Sequence, residues 1–312
     1  MKVLVQFLIL AFVSVIIGQS DLISEDIMLK NDSIILPGTL TYTKSTEKQP
    51  LVIFIHGSGN VDRNGNQAGA NIRANYIKQL CDSITKNAIA FYRYDKRTAT
   101  IANMKYIYKG MSFDAFIEDA LIAINNFKND KRFTSITLIG HSQGSTVALL
   151  AAQKGDVDRY VSLAGLGRKF EDFVVDEYRK VSPEFGEIAA KHFKELNTTG
   201  EIRSVHPQLA HIFPKQNISF LQSWMQYNPS IEIQKLEIPI LIVNGTKDVQ
   251  VSTLDAEKLH EANPSSKLVI IENMNHVLKH IDTDQDNQKS YFSPDYSLSK
   301  QLIDSLTEFI KK

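Results

Sequence analysis

The stretch Ile136-Thr137-Leu138-Ile139-Gly140-His141-Ser142-Gln143-Gly144 decides the reading of this chain. In it a short apolar run ends in glycine-x-serine-x-glycine and passes straight into Ser145-Thr146-Val147-Ala148-Leu149-Leu150-Ala151-Ala152. The run predicts a buried strand and the octapeptide a buried helix. A serine at so sharp a strand-to-helix turn is forced into a strained backbone conformation. The neighbouring segments come close enough that positions 140 and 144 need to lack side chains. The pattern nominates Ser142 as a nucleophile, against the plainer alternative of a tight turn carrying a solvated serine.

Working outward, strand-like and helix-like segments alternate. Strands are expected at Ile35 to Lys44, with an interruption at Pro37-Gly38, and at Leu51 to Ile55, Ile89 to Tyr94, Ile136 to Ile139, Arg159 to Leu163, Pro239 to Val243 and Leu268 to Ile271. Helices are expected over Ala70 to Asn87 and Ser297 to Ile310, and over Phe113 to Phe127, where Phe113, Phe116, Ile117, Ala120, Leu121 and Ile124 share one face. Near-continuous apolar strands alternating with helices imply an α/β fold whose mostly parallel sheet is covered on both faces. From Arg168 to about Glu237 the strand signal is lost and the chain turns charged, helical and punctuated by prolines. Residues 168–237 therefore read as a helical cap inserted into a core of residues 21–167 and 238–312. Phe213, Trp224 and Met225 belong to an aromatic-rich part of that insertion, which suits either an apolar substrate pocket or the cap's own core.

Composition narrows the function classes. Lys+Arg and Asp+Glu both number 35 in 312 residues, so the formal net charge is zero, and the sequence carries no nucleic-acid footprint. The single cysteine, Cys81, excludes an intrachain disulfide framework and a thiolate metal cluster. Residues 1–20 open with Lys2, continue in an apolar run from Val3 to Ile17 and end in Gly18-Gln19-Ser20, the outline of a secretory signal peptide. Export to a periplasm or beyond follows, with no stable membrane association after cleavage. Oligomeric state is not legible in these residues.

Two further segments supply what a serine nucleophile needs. His56-Gly57-Ser58-Gly59, directly after the Leu51 to Ile55 strand, is a turn able to leave N–H groups pointing inward. The backbone donors of Ser58 and Gln143 are the expected oxyanion hole. Asp62, Arg63, Asn64 and Asn66 form a polar loop expected to hold this turn by an ion pair or hydrogen bonds. Asp248 falls just beyond one late strand and His276 just beyond the last, an acid and a base able to activate the hydroxyl. Of the eight histidines, His280 is the competitor to His276; Asp255, within the following helix, is the competitor to Asp248.

With Ser142, Asp248 and His276 in that order, the chain resembles the α/β-hydrolase superfamily. His56 to Asn66, together with Tyr94-Asp95-Lys96-Arg97, resembles bacterial carboxylesterases related to serine aminopeptidases and acyl-aminoacyl peptidases. The resemblance implies an eight-stranded, mostly parallel sheet, a helical cap after the sixth strand, no cofactor or metal, and hydrolysis of a small-molecule ester by the Ser142, Asp248 and His276 triad. It leaves open an amidase or aminopeptidase using the same triad, and a non-catalytic binding protein of the same fold. After Arg97 the chain reads Thr98-Ala99-Thr100, where many relatives have a glycine-rich turn.

Overall fold

The computed structural model describes residues 22–108 and 110–312; the expected signal peptide, residues 1–20, lies outside them. One sheet of eight strands organises the described chain: β1 (Leu22–Asn31), β2 (Ile34–Thr43), β3 (Gln49–Ile55), β4 (Ala90–Tyr94), β5 (Phe133–His141), β6 (Arg159–Leu163), β7 (Ile240–Gly245) and β8 (Lys267–Ile271). The spatial order is β1-β2-β4-β3-β5-β6-β7-β8. Strand β2 runs antiparallel to both its neighbours, and every pairing from β4 through β8 is parallel.

The reason the inner strands read as unbroken apolar runs is visible in how their side chains divide. Leu51, Ile53 and Ile55 of β3 enter one buried cluster, and Val52 and Phe54 enter another. In β7 the same alternation sends Ile240 and Ile242 to the first and Leu241 and Val243 to the second. A strand whose two faces are both covered must be apolar at consecutive positions. The first cluster is closed by the helices Asp114–Phe127, Gln143–Ala152 and Thr253–Ala262, and the second by Tyr76–Ile84 and Lys300–Lys311. Cys81 is a free, buried member of the second.

Three details depart from the sequence expectation. Strand β1 was not anticipated: it is an edge strand, exposed or half-exposed along most of its length. It is joined to β2 through a tight turn in which Asp32 takes a positive φ of 50°. Strand β2 runs through Pro37-Gly38 without interruption; a Cβ on Gly38 would lie 2.3 Å from the Tyr92 hydroxyl, so glycine is what lets the tyrosine cross the strand. The helix expected from Ala70 starts only at Tyr76. Asn75 before it is left-handed, φ 50°, and is bound to Asn66 by two hydrogen bonds of 2.7 and 3.0 Å.

Between β6 and β7 the chain leaves the sheet for the helices Phe170–Val181, Pro183–Thr199, Ile218–Trp224 and Pro229–Glu232. These carry a separate apolar cluster, with Ala189, Phe193, Leu196, Leu209 and Phe213 at its centre. Where this excursion begins, the buried carboxylate of Asp255 accepts hydrogen bonds from the Gly167 N–H and the Arg168 Nε, both at 3.1 Å. Among the described residues no helix is long and apolar enough to cross a membrane.

Candidate active site

Strands β3, β4, β5, β7 and β8 are parallel, so the residues that follow them collect along one edge of the sheet. In open α/β sheets that carboxyl edge is where ligands bind. Ser142 follows β5 with φ 55° and ψ −124°, outside the ordinary regions for a residue with a side chain. Its N–H donates to the Leu163 carbonyl at 2.8 Å, and its own carbonyl accepts from the Ser145 N–H at 2.9 Å. The flanking glycines have steric causes. A Cβ on Gly140 would fall 2.3 Å from the Gly144 carbonyl oxygen, and one on Gly144 would fall 2.3 Å from the carbonyl oxygen of Ile55 and 2.4 Å from that of His56. The elbow is thus wedged against the end of β3.

Asp248 and His276 meet beyond β7 and β8. The His276 Nδ1 donates to Asp248 Oδ2 at 2.8 Å, and both side chains are buried. Asp248 Oδ1 accepts from the backbone N–H groups of Gln250 and Val251 at 2.8 and 2.9 Å, which aims the second oxygen at the ring. With Nδ1 protonated, Nε2 is free to act as a base. His276 and Ser142 line one cavity with Ser58, Tyr76, His141, Gln250 and Tyr291. Among the described residues no hydrogen bond joins Ser142 to His276.

The competitors lie elsewhere. His280 is half-exposed and sits 3.3 Å from Asp282. Asp255 is occupied at the root of the helical excursion. His56 is buried with its Nε2 on the Tyr94 carbonyl, and burial pushes its pKa down to about 4. His141, buried inside the pentapeptide, donates from Nε2 to the His276 carbonyl at 2.7 Å, and its Nδ1 accepts from the Tyr76 hydroxyl at 3.2 Å. Burial, then the neighbouring His276, hold His141 neutral with a pKa near 3. It therefore braces the backbone of His276, a role its place in the pentapeptide did not disclose.

At the turn after β3, Ser58 borders both this cavity and a larger one, and Gln143 is the first residue of its helix, where an N–H has no intrahelical acceptor. The polar loop behind it is tied down as expected, though with a partner the sequence did not indicate. Arg63 forks onto Asp95 with bonds of 2.9 and 2.8 Å, while Asp62 caps the turn through the N–H groups of Asn64 and Asn66.

The larger cavity, ≈ 650 Å³, opens between this turn and the inserted helices. Its apolar walls include Phe116, Phe170, Phe220 and Trp224, with Lys96, His211, Gln216 and Asn217 among its polar lining. Trp224 stacks on Phe170 at 3.9 Å between ring centroids and on Phe113 at 5.2 Å. Phe213 and Met225, the other two residues expected at a pocket, do not line this cavity. They pack into the insertion's own cluster, Phe213 against Phe193 at 4.8 Å: Phe213 sits in the non-helical segment before Pro214, and Met225, one residue past Trp224 at the helix end, is turned about 100° away from it. Among the described residues no group of three or more His, Cys, Asp or Glu side chains is placed to hold a metal ion.

Residues 40–262, well over half of the chain, match the family model described as BD-FAE. The chain belongs to the BD-FAE family. Its fold is that of the α/β-hydrolases, as its structural neighbours show. Est1E from Butyrivibrio proteoclasticus superimposes with a TM-score of 0.58 at 18% identity, over 92% of this chain and 97% of that one. The Pyrococcus furiosus esterase Pf2001 does so with a TM-score of 0.56 at 15% identity, over 92% and 90%. In sequence, this BD-FAE member is 24% identical to esterase EstD of Thermotoga maritima over 288 residues. That alignment spans 89% of the present chain and 66% of EstD, so about a third of the relative has no counterpart in it.

Proposed function

We propose that this protein is a serine hydrolase that cleaves carboxylic esters through an acyl-enzyme. The observation that carries the reading is Ser142, held at φ 55° between two sterically required glycines and sharing a cavity with a histidine whose Nδ1 lies 2.8 Å from a buried carboxylate. In the proposed reaction His276 Nε2 takes the Ser142 proton as Oγ bonds to the acyl carbon, and Asp248 steadies the imidazolium. The N–H groups of Ser58 and Gln143 receive the charge that develops on the acyl oxygen. Collapse expels the alcohol, which takes its proton from His276, and water attacks the acyl-enzyme by the same route in reverse.

The esterases among its relatives support the ester as substrate. A structure of Est1E contains bound ferulic acid, and the aromatic walls of the ≈ 650 Å³ cavity suit an apolar or aryl acyl group in this chain too. In this reading residues 168–237 act as the cap over the substrate, and residues 1–20 direct the chain out of the cytoplasm. The test is a panel of p-nitrophenyl esters and aminoacyl anilides of graded size, run with fluorophosphonate labelling and mapping of the labelled residue. Turnover of esters with the label on Ser142 is expected. Label at another residue, or preferential cleavage of the anilides, would reject the assignment.

A further inference from the structure

The Lys96 ammonium bonds to both sides of the proposed oxyanion hole, and nothing in the proposed reaction uses it. It follows β4, is 5% exposed, and its backbone N–H is held by the Val61 carbonyl at 3.1 Å. Its ammonium donates to the Gly57 carbonyl at 2.7 Å and to Gln143 Oε1 at 2.8 Å, and lies 4.3 Å from the centre of the Phe116 ring. A buried cation is costly unless its protons are placed. Here two go to oxygens and the remaining face to an aromatic ring.

The choice of partners is informative. The Gly57 carbonyl and the Ser58 N–H belong to one peptide unit, and no peptide bond among the described residues is cis. In a trans peptide the two point in opposite directions. Anchoring the carbonyl on Lys96 therefore fixes where the Ser58 N–H points. This peptide starts beside the nucleophile: a Cβ on Gly57 would stand 3.2 Å from the Ser142 Cβ. A cation on the carbonyl also polarises the amide and strengthens its N–H as a donor. The second bond holds the side chain of Gln143, whose own N–H is the other donor.

The geometry points to Lys96 as a positioning residue of the oxyanion hole, a clamp that orients the Gly57–Ser58 peptide and Gln143 so that their two N–H groups converge on the acyl oxygen. This rests on the ester-hydrolase reading. Burial lowers the Lys96 pKa to about 7, with Asp119 acting in the opposite sense, so the clamp carries its full charge only below neutral pH.

The test compares Lys96→Met with the wild type on a p-nitrophenyl ester and on a trifluoromethyl ketone, whose serine adduct carries an oxyanion. Losing one oxyanion donor typically costs about 100- to 1000-fold in kcat, so misdirecting one should cost about 30- to 300-fold, with KM within threefold. Affinity for the ketone should fall in parallel with kcat/KM. A kcat within threefold of wild type, or a loss confined to KM, would overturn the clamp. Should Lys96→Met fail to fold, Gln143→Leu keeps Lys96 on Gly57 and should lose about tenfold in kcat at unchanged KM; an unchanged kcat there also overturns it. A wild-type protein without Ser142-dependent ester turnover would sink the ester-hydrolase reading and the clamp with it, whereas an active Lys96→Met variant would sink the clamp alone.

Discussion

The elbow around Ser142 and the aromatic cleft beside it are neighbours built on opposite principles. At the elbow, backbone meets backbone: glycine at 140 and 144 is demanded by carbonyl oxygens 2.3 Å from where a Cβ would stand, and the φ of Ser142 itself is positive. In the cleft, side chains from distant segments meet, with Phe116 from a core helix and Phe170, Phe220 and Trp224 from the inserted ones. A surface made of side chains changes by point substitution at modest cost. A surface made of backbone does not. On the proposed reading, the chemistry falls to the rigid region and the choice of substrate to the adaptable one.

Substitutions on the two sides should separate these roles. The largest effect belongs to Ser142→Ala, expected to lower kcat by about 10⁵- to 10⁶-fold and to abolish fluorophosphonate labelling at unchanged melting temperature. Residual turnover near the wild-type rate would move the nucleophile away from the elbow. Asp248→Asn keeps the shape but spoils the histidine tautomer, and about 10⁴-fold in kcat is the expected loss. An ordinary rate would mean that another acid serves His276. Gly144→Ala tests the backbone side directly. The added methyl meets Ile55 and His56, so a destabilisation of about 1–3 kcal/mol or more is expected in denaturant melts, together with lost turnover. A stable, active variant would show that the elbow yields. On the cleft side, Phe220→Ala should leave acetyl-ester turnover near wild type while the preference for aryl or longer acyl groups shifts about 3- to 10-fold. A uniform loss on every ester would remove the division between the regions.

Legibility in the sequence follows the same division. The inner strands announce themselves because both their faces are buried, and β6 spans Arg159 to Leu163, the bounds expected from the sequence. Strand β1 lies at the sheet's edge with alternate residues exposed, so its composition, Leu22 to Asn31 with two acids and a lysine, gives no continuous run to read. Among the site residues, Ser142, Asp248 and His276 were nominated because each stands at the end of a strand, and the structure brings them to one edge. Phe213 and Met225 show the limit: an aromatic-rich segment advertises apolar side chains without saying which of two apolar environments each one meets. Lys96 and His141 were invisible for a related reason. Their roles lie in hydrogen bonds to backbone carbonyls at Gly57 and His276, and a carbonyl has no letter in the sequence.

The Asp255 carboxylate carries one last implication. It holds the Gly167 N–H and the Arg168 guanidinium, the first residues of the helical excursion, while standing seven positions beyond Asp248 on a segment that begins at the same strand end. The insertion's root is thus tied to the helix Thr253–Ala262, which follows the loop that carries Asp248. Without the Asp255 carboxylate, the Gly167 N–H and the Arg168 Nε would lose this acceptor at the start of the excursion whose helices wall the cleft.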